Sequence, residues 1–478
     1  MHPFPLEPDR ATMAEMGHLV LDRVVERTDQ LAARPATSLL SPQAEAELGE
    51  TLLAPPPARG GDLKALLARL DEAADCALES AGPGHLAYIP GSGLYSAALA
   101  EFYNRAVNRY GGLASVAPAL AALEESVIRW MAREVCGLPE GSGGLLTSGG
   151  SMATFSATVA ARHDRLGEDL AGGTVYTTAF AHHSVAKAAR LAGIRAAHIR
   201  TVPHTPDLRM APEAAAAMIR ADRDAGLRPF LLVATAGTTD TGTVDPLPQL
   251  AGLARREDVR FHIDAAYGGF FRLTARGAER LAGIEQADSV TLDPHKTLFM
   301  PFGTGALVVR DLAALHAAHD GTGSYLQDMA GAGVPDSGRL GPELTHEIRG
   351  LRAWLPLHLH GVNAFREALD EKLDLAEHVH DTLSGIAELE VLQRPELSTM
   401  IFRVRPVGGS RAAAERADAA SRRLLERING HRRIVLSSTV VDGRYTLRVC
   451  VVSHRTHHDR ITEALQIITG EARNIPVA

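Results

Sequence analysis

The sequence is poor in cysteine, in aromatic residues and in any excess of positive charge. Three cysteines in 478 residues, Cys76, Cys136 and Cys450, are too few and too widely spaced for a disulfide framework or a cysteine-based zinc site, so no metal is expected. A reducing, cytoplasmic setting fits that count. Forty-nine basic against fifty-seven acidic side chains leave a net charge of -8 with no basic block, which argues against nucleic acid as a partner. No stretch approaches the ~18 apolar residues of a membrane span, and the first residues lack the basic flank and apolar core of a secretory signal. A soluble protein without a membrane partner is expected.

What is present is ordinary globular composition, 45% hydrophobic and 22% charged, in a chain longer than the ~100–200 residues of one domain. Between Asp9 and Arg27 the apolar residues Met13, Met16, Leu19, Val20 and Val24 recur at helical spacing, and a second such stretch runs from Asp62 to Leu78. The run Ala54-Pro-Pro-Pro-Ala-Arg-Gly-Gly61 interrupts them, because proline lacks an amide donor and glycine is too flexible. Two helices make little core, so residues 1–82 are expected to form an arm packed on something else, such as a second subunit.

The middle of the chain alternates strands with helices. Gly144–Thr147, Thr174–Thr178, Phe230–Ala234, Arg260–Ile263, Ser289–Leu292 and Gly305–Arg310 read as strands; Met152–Arg165 and Pro212–Ala225 read as helices between them. That order predicts an α/β domain, residues 83–361, with a mainly parallel sheet whose ligand sits at the strands' carboxyl ends. Residues 362–478 predict a small α+β domain: a helix over Val362–Leu383, a strand over Thr399–Arg405, and a hairpin of Ile434–Val440 and Arg444–Val452 turning at Asp442-Gly443.

Three segments sit where such a ligand would bind. In Leu145-Leu-Thr-Ser-Gly149-Gly150-Ser151 a strand meets a glycine turn and a helix start, whose free amides favour an anion. A tight turn without ligand is the plain alternative; the NTPase and Rossmann fingerprints are absent. Asp264 closes the strand of Phe261-His-Ile-Asp264, where a helix cap is the plain alternative. Lys296 follows another strand in Asp293-Pro-His295-Lys296, and a lone lysine is commonly a solvated surface residue. Together they supply the phosphate cradle, the carboxylate for a pyridine nitrogen and the amine that pyridoxal phosphate requires.

With Ala181-His182-His183-Ser184, Ala234-Thr-Ala-Gly237-Thr238-Thr239, Asp245 and His262-Ile-Asp264-Ala-Ala266-Tyr267, the sequence resembles the pyridoxal-phosphate-dependent group II amino acid decarboxylases from about Pro83 onward. These include the aromatic amino acid, histidine, glutamate and 2,4-diaminobutyrate enzymes. The resemblance implies a fold type I scaffold, pyridoxal 5'-phosphate as cofactor, an L-amino acid as substrate and a homodimer with shared active sites. It makes Lys296 the residue that binds the cofactor covalently, Asp264 the partner of the pyridine nitrogen, and His182 a ring stacked near the departing carboxylate, with Ala266 on the opposite face. Gly150, Ser151, Asp293 and His295 would surround the phosphate, Thr239 and Asp245 would support the ring, and Arg448 would bind a carboxylate unless it serves a structural ion pair.

The sequence also departs from that family. Residues Met329–Thr345, the expected mobile loop, contain no tyrosine; Tyr325 precedes them, and His346 is an alternative proton donor. The same absence leaves open an aldehyde-forming oxidative decarboxylase; another carbon-carbon or carbon-sulfur lyase, and a non-catalytic relative that retains the cofactor, are further alternatives. Tyr88, Ile89 and Gly112 are expected at the substrate pocket. The low aromatic content, 5% of residues, reaches it: Ile89 and Gly112 stand where aromatic decarboxylases place rings. This points away from catechol or indole substrates unless a neighbour such as Tyr110 refills the space.

Overall fold

The computed structural model describes residues 6–89, 91–321 and 333–475. Tyr325 and the first part of the expected mobile loop lie outside them. Seven strands form the larger sheet: β1 (Gly143–Thr147), β2 (Gly173–Thr178), β3 (Ile199–Val202), β4 (Arg228–Thr235), β5 (Arg260–Asp264), β6 (Ser289–Leu292) and β7 (Gly305–Val309). Their spatial order is β1-β7-β6-β5-β4-β2-β3, and only β7 runs against the rest. β1, β5 and β6 therefore end on the same edge of the sheet. β1, β2 and β7 are buried throughout and β4, β5 and β6 beyond their first residues, as strands covered by helices on both faces require.

The sequence missed β3, an edge strand whose Arg200 and Thr201 break the apolar run. It also missed β8 (Leu389–Val391), which joins β9 (Thr399–Val404), β10 (Ser437–Val441) and β11 (Arg444–Cys450) in an antiparallel sheet ordered β10-β11-β9-β8. Asp442 (φ 50°) and Gly443 (φ 74°) make the expected hairpin turn. This sheet has its own apolar core, where Phe402 and Leu447 meet Leu424 and Ile461 from the helices Arg411–Gly430 and His458–Arg473. One long helical segment, Leu351–Ser384, runs from the large core to the small one and breaks at Gly361 (φ 75°, ψ 154°).

The first helix, Arg10–Gln30, is capped by Asp9, whose carboxylate accepts the Thr12 N–H at 2.8 Å. It buries none of its own residues. Arg27 instead bridges to Asp75 at 2.7 Å and Glu79 at 2.8 Å, beside an Arg23–Asp71 pair. Charge thus ties this helix to the helix Leu63–Asp75, while Met13, Leu21 and Val25 remain 55%, 41% and 48% exposed.

Candidate functional site

The shared edge of β1, β5 and β6 carries a cavity of about 450 Å³. Lys296, His182, Asp264, Gly150, Ser151, Thr239, Ala266, Asp293 and His295 all line it, as do Tyr88, Ile89 and Arg448. Asp245 and Gly112 do not.

Each wall follows from local sequence. β1 stops at Thr147 and the helix Gly150–Leu166 begins at once, so the first backbone amides of that helix open onto the cavity. Gly150 leaves no room for a side chain, since a Cβ there would lie 2.9 Å from Asp293 Oδ2. Gly237 holds φ at 92°, and a Cβ would meet the Tyr267 ring at 2.5 Å, so the turn after β4 needs glycine.

β5 delivers Asp264, buried, with Oδ1 accepting the Ala266 N–H at 3.1 Å. β6 ends one residue before Asp293, and the short helical turn Pro294–Thr297 aims Lys296 back at it: Nζ lies 2.9 Å from Asp293 Oδ2. Asp293 Oδ1 is buried without a hydrogen-bond partner. His295 donates Nδ1–H to the Thr304 carbonyl at 2.7 Å, leaving Nε2 3.6 Å from Asp293 Oδ2.

The electrostatics follow from burial and from these neighbours. Burial pushes the Asp264 carboxyl above its ordinary range, against the Lys296 charge and the Ala266 amide. Burial also acts to lower the Lys296 amine, but Asp293 and Asp264 together outweigh it and hold the amine above its usual value. His182 is brought down to about 4, first by burial, then by Lys296 and by His183, with Asp293 opposing.

Arg448 enters from β11, opposite Ser437 in the hairpin register. It donates to Ser437 Oγ at 3.2 Å and to the Thr239 carbonyl at 2.6 Å, and its Nε is buried and unpartnered. Among the described residues it has no carboxylate partner, so the structural ion pair weighed from sequence is not there. Ser437 Oγ also accepts the Tyr88 N–H at 3.0 Å, pinning Tyr88 at φ 57° on the cavity rim.

The residues outside the cavity have other partners. Asp245 accepts the Met210 N–H at 2.7 Å and the Thr235 N–H at 2.8 Å, so it braces the chain beside β4 instead of facing the ring position. Gly112 packs under Tyr110, whose hydroxyl would be 2.5 Å from a Cβ at that glycine. His346, expected as a proton donor, lies buried away from the cavity: Nε2 meets Glu124 at 2.7 Å and Nδ1 accepts from Arg349 at 3.3 Å. Ser148, Met152 and Ser184 also line the cavity. Their membership of the same motifs was visible in sequence, but which way they faced was not.

The profile described as the pyridoxal-dependent decarboxylase conserved domain matches residues 78–405. An aromatic-L-amino-acid decarboxylase of Bacillus atrophaeus is 30% identical over 98% of this chain and 96% of its own. A tyrosine decarboxylase of Oryza sativa subsp. japonica is 32% identical over 98% of this chain and 92% of its own. Among solved structures, Oryza sativa TDC with PLP and tryptamine superposes with a TM-score of 0.91 at 27% identity, covering 98% of this chain and 99% of that one.

Proposed function

Because the chain belongs to the pyridoxal-dependent decarboxylase family, we propose that the cavity removes CO2 from an L-amino acid, with Lys296 as the covalent anchor of pyridoxal 5'-phosphate. The observation that carries this reading is one cavity holding a lysine amine, a buried carboxylate and a helix start. The residues fit the cofactor. Gly150 and Ser151 offer amides and a hydroxyl to a phosphate, at a helix start kept open because a Cβ on Gly150 would crowd Asp293.

When bound, pyridoxal phosphate supplies an electron sink that takes up the electrons released at the substrate's α-carbon. Asp264 would hold a proton on the pyridine nitrogen, which would keep that sink strong; His182 and Ala266 would flank the ring, and Thr239 would support it. Arg448 offers Nε–H to a substrate carboxylate and, being anchored by Ser437 and Thr239, holds that carboxylate in a fixed direction. A fixed direction matters because only a bond held perpendicular to the ring plane can pass its electrons into the ring.

We read residues 1–82 as an arm that docks on a second copy of the chain, 83–361 as the cofactor domain and 362–478 as the small domain. The exposed apolar face of Arg10–Gln30 supports the docking, and the break at Gly361 supports the second boundary. Aromatic L-amino acids head the substrate panel, because the relatives are named for them. Tyr110 fills the space over Gly112, but neither residue lines the cavity, and Ile89 lines it without a ring.

The deciding experiment couples CO2 release from a panel of L-amino acids to product analysis. Amine with CO2 supports the reading. Aldehyde with stoichiometric hydrogen peroxide would replace it by the oxidative reaction, and absence of CO2 from every amino acid would remove it.

A further inference from the structure

We propose that Ser184 is a positioning residue: it holds His182 as the neutral Nε2–H tautomer, so that an uncharged N–H faces the substrate's carboxylate. The inference rests on the decarboxylase reading, but the tautomer itself can be measured without turnover.

Ser184 opens the helix Ser184–Leu191 and is buried. Two of its groups converge on one ring nitrogen, with Oγ 2.7 Å and the backbone N–H 3.3 Å from His182 Nδ1. A hydroxyl can turn to donate or accept, whereas an amide N–H only donates. Nδ1 must therefore present its lone pair, and in the neutral ring the proton sits on Nε2. Among the described residues Nε2 has no hydrogen-bond partner, and the ring lines the cavity.

The surroundings disfavour a second proton. An imidazolium would carry N–H at Nδ1, pointing at the Ser184 amide. Burial is the largest influence; the Lys296 amine and the His183 ring, with centroids 4.2 Å apart, act in the same direction, and Asp293 opposes them. Neutrality serves the reaction because loss of CO2 drains charge away from the carboxylate. Arg448 already lines this cavity as a cation; a second positive charge on His182 would stabilise the reactant further than the transition state and slow the step, whereas a neutral N–H helps orient the carboxylate with less of that penalty.

The test uses holoenzyme labelled with 15N-histidine, with His182→Gln identifying the His182 signals by difference. The expected result is a protonated Nε2 and an unprotonated Nδ1 at neutral pH. Ser184→Ala deletes the hydroxyl donor. It should raise the titration midpoint of His182 by about one pH unit and lower kcat about tenfold on the acid side, with KM little changed. Ser184→Thr should restore both. An Nδ1–H tautomer in the wild type, or a Ser184→Ala enzyme with unchanged titration and unchanged pH–rate profile, would overturn the proposal. If the tautomer is as expected but no amino acid releases CO2, the decarboxylase reading falls, and the role of Ser184 in it, while the tautomer stands.

Discussion

Lys296 Nζ sits 2.9 Å from Asp293 Oδ2, so the amine proposed to attack the cofactor is held as an ammonium by the residue three positions before it. An ammonium is not a nucleophile. Asp293→Asn removes that charge and lowers the lysine pKa. The apoenzyme should then combine with pyridoxal phosphate faster at neutral pH, by roughly tenfold, with the gain vanishing at high pH where both amines are free. Stopped-flow absorbance at several pH values reads this directly; equal rates throughout would show that Asp293 does not control the amine.

Lys296→Ala leaves the cavity walls intact but removes the anchor. Borohydride should no longer fix the cofactor to the protein, and decarboxylation should fall by on the order of 10³-fold or more. Mass spectrometry after reduction checks the first effect and CO2 release the second.

Arg448→Met removes a buried cation that has no carboxylate partner among the described residues, so the fold loses little charge balance. Binding of the substrate carboxylate should weaken by about 2–3 kcal/mol, on the order of a hundredfold in KM, while the cofactor's absorbance persists. A KM within twofold of wild type would assign Arg448 to structure alone.

Asp245 gives a pH signature in stability. Burial raises its carboxyl from 3.8 to about 6, so the folded chain binds this proton more tightly than the unfolded chain. Stability from this group is complete below the unfolded value and is lost as pH rises through about 6, to a total on the order of 3 kcal/mol. Asp245→Asn abolishes the titration. Urea midpoints of wild type and variant, compared between pH 4 and 7, should shift in favour of the variant as pH increases; parallel curves would contradict the assignment.

The arm offers a surface to test. Leu21→Glu combined with Val25→Glu places two charges on a helix face that buries nothing within its own chain. Sedimentation should show monomers where the wild type sediments as a dimer, and activity should fall with the dimer. A dimer that survives both charges would move the interface elsewhere.

Much of this was legible because the chemistry is carried by residues at strand ends, and strand ends can be read from apolar runs. Asp264, Lys296 and Gly150 follow directly from β5, β6 and β1. The Asp442-Gly443 turn even fixes Arg448 opposite Ser437, since a two-residue hairpin sets every pair behind it. What depended on packing was hidden. Nothing in the spacing of Asp245 says that two backbone amides consume both of its oxygens, and nothing around His346 announces Glu124, 222 positions earlier in the chain. For Gly112 the sequence left open whether Tyr110 refills the space, and only packing shows Tyr110 lying over it.

The reversed strand β7 has a consequence for biosynthesis. β1 lies at the edge of the sheet and pairs with β7 alone, Gly143 opposite Val309, although the ribosome delivers all of β2 to β6 between them. A nascent chain can begin to pair β2, β4, β5 and β6 as each emerges, but its glycine turn at 149–150 has no neighbouring strand until Val309 is released. Closing so long a loop is slow and entropically costly. The anion cradle is therefore encoded early and assembled late, so the growing chain should acquire its affinity for the cofactor's phosphate only after Val309 has emerged, well past the middle of synthesis.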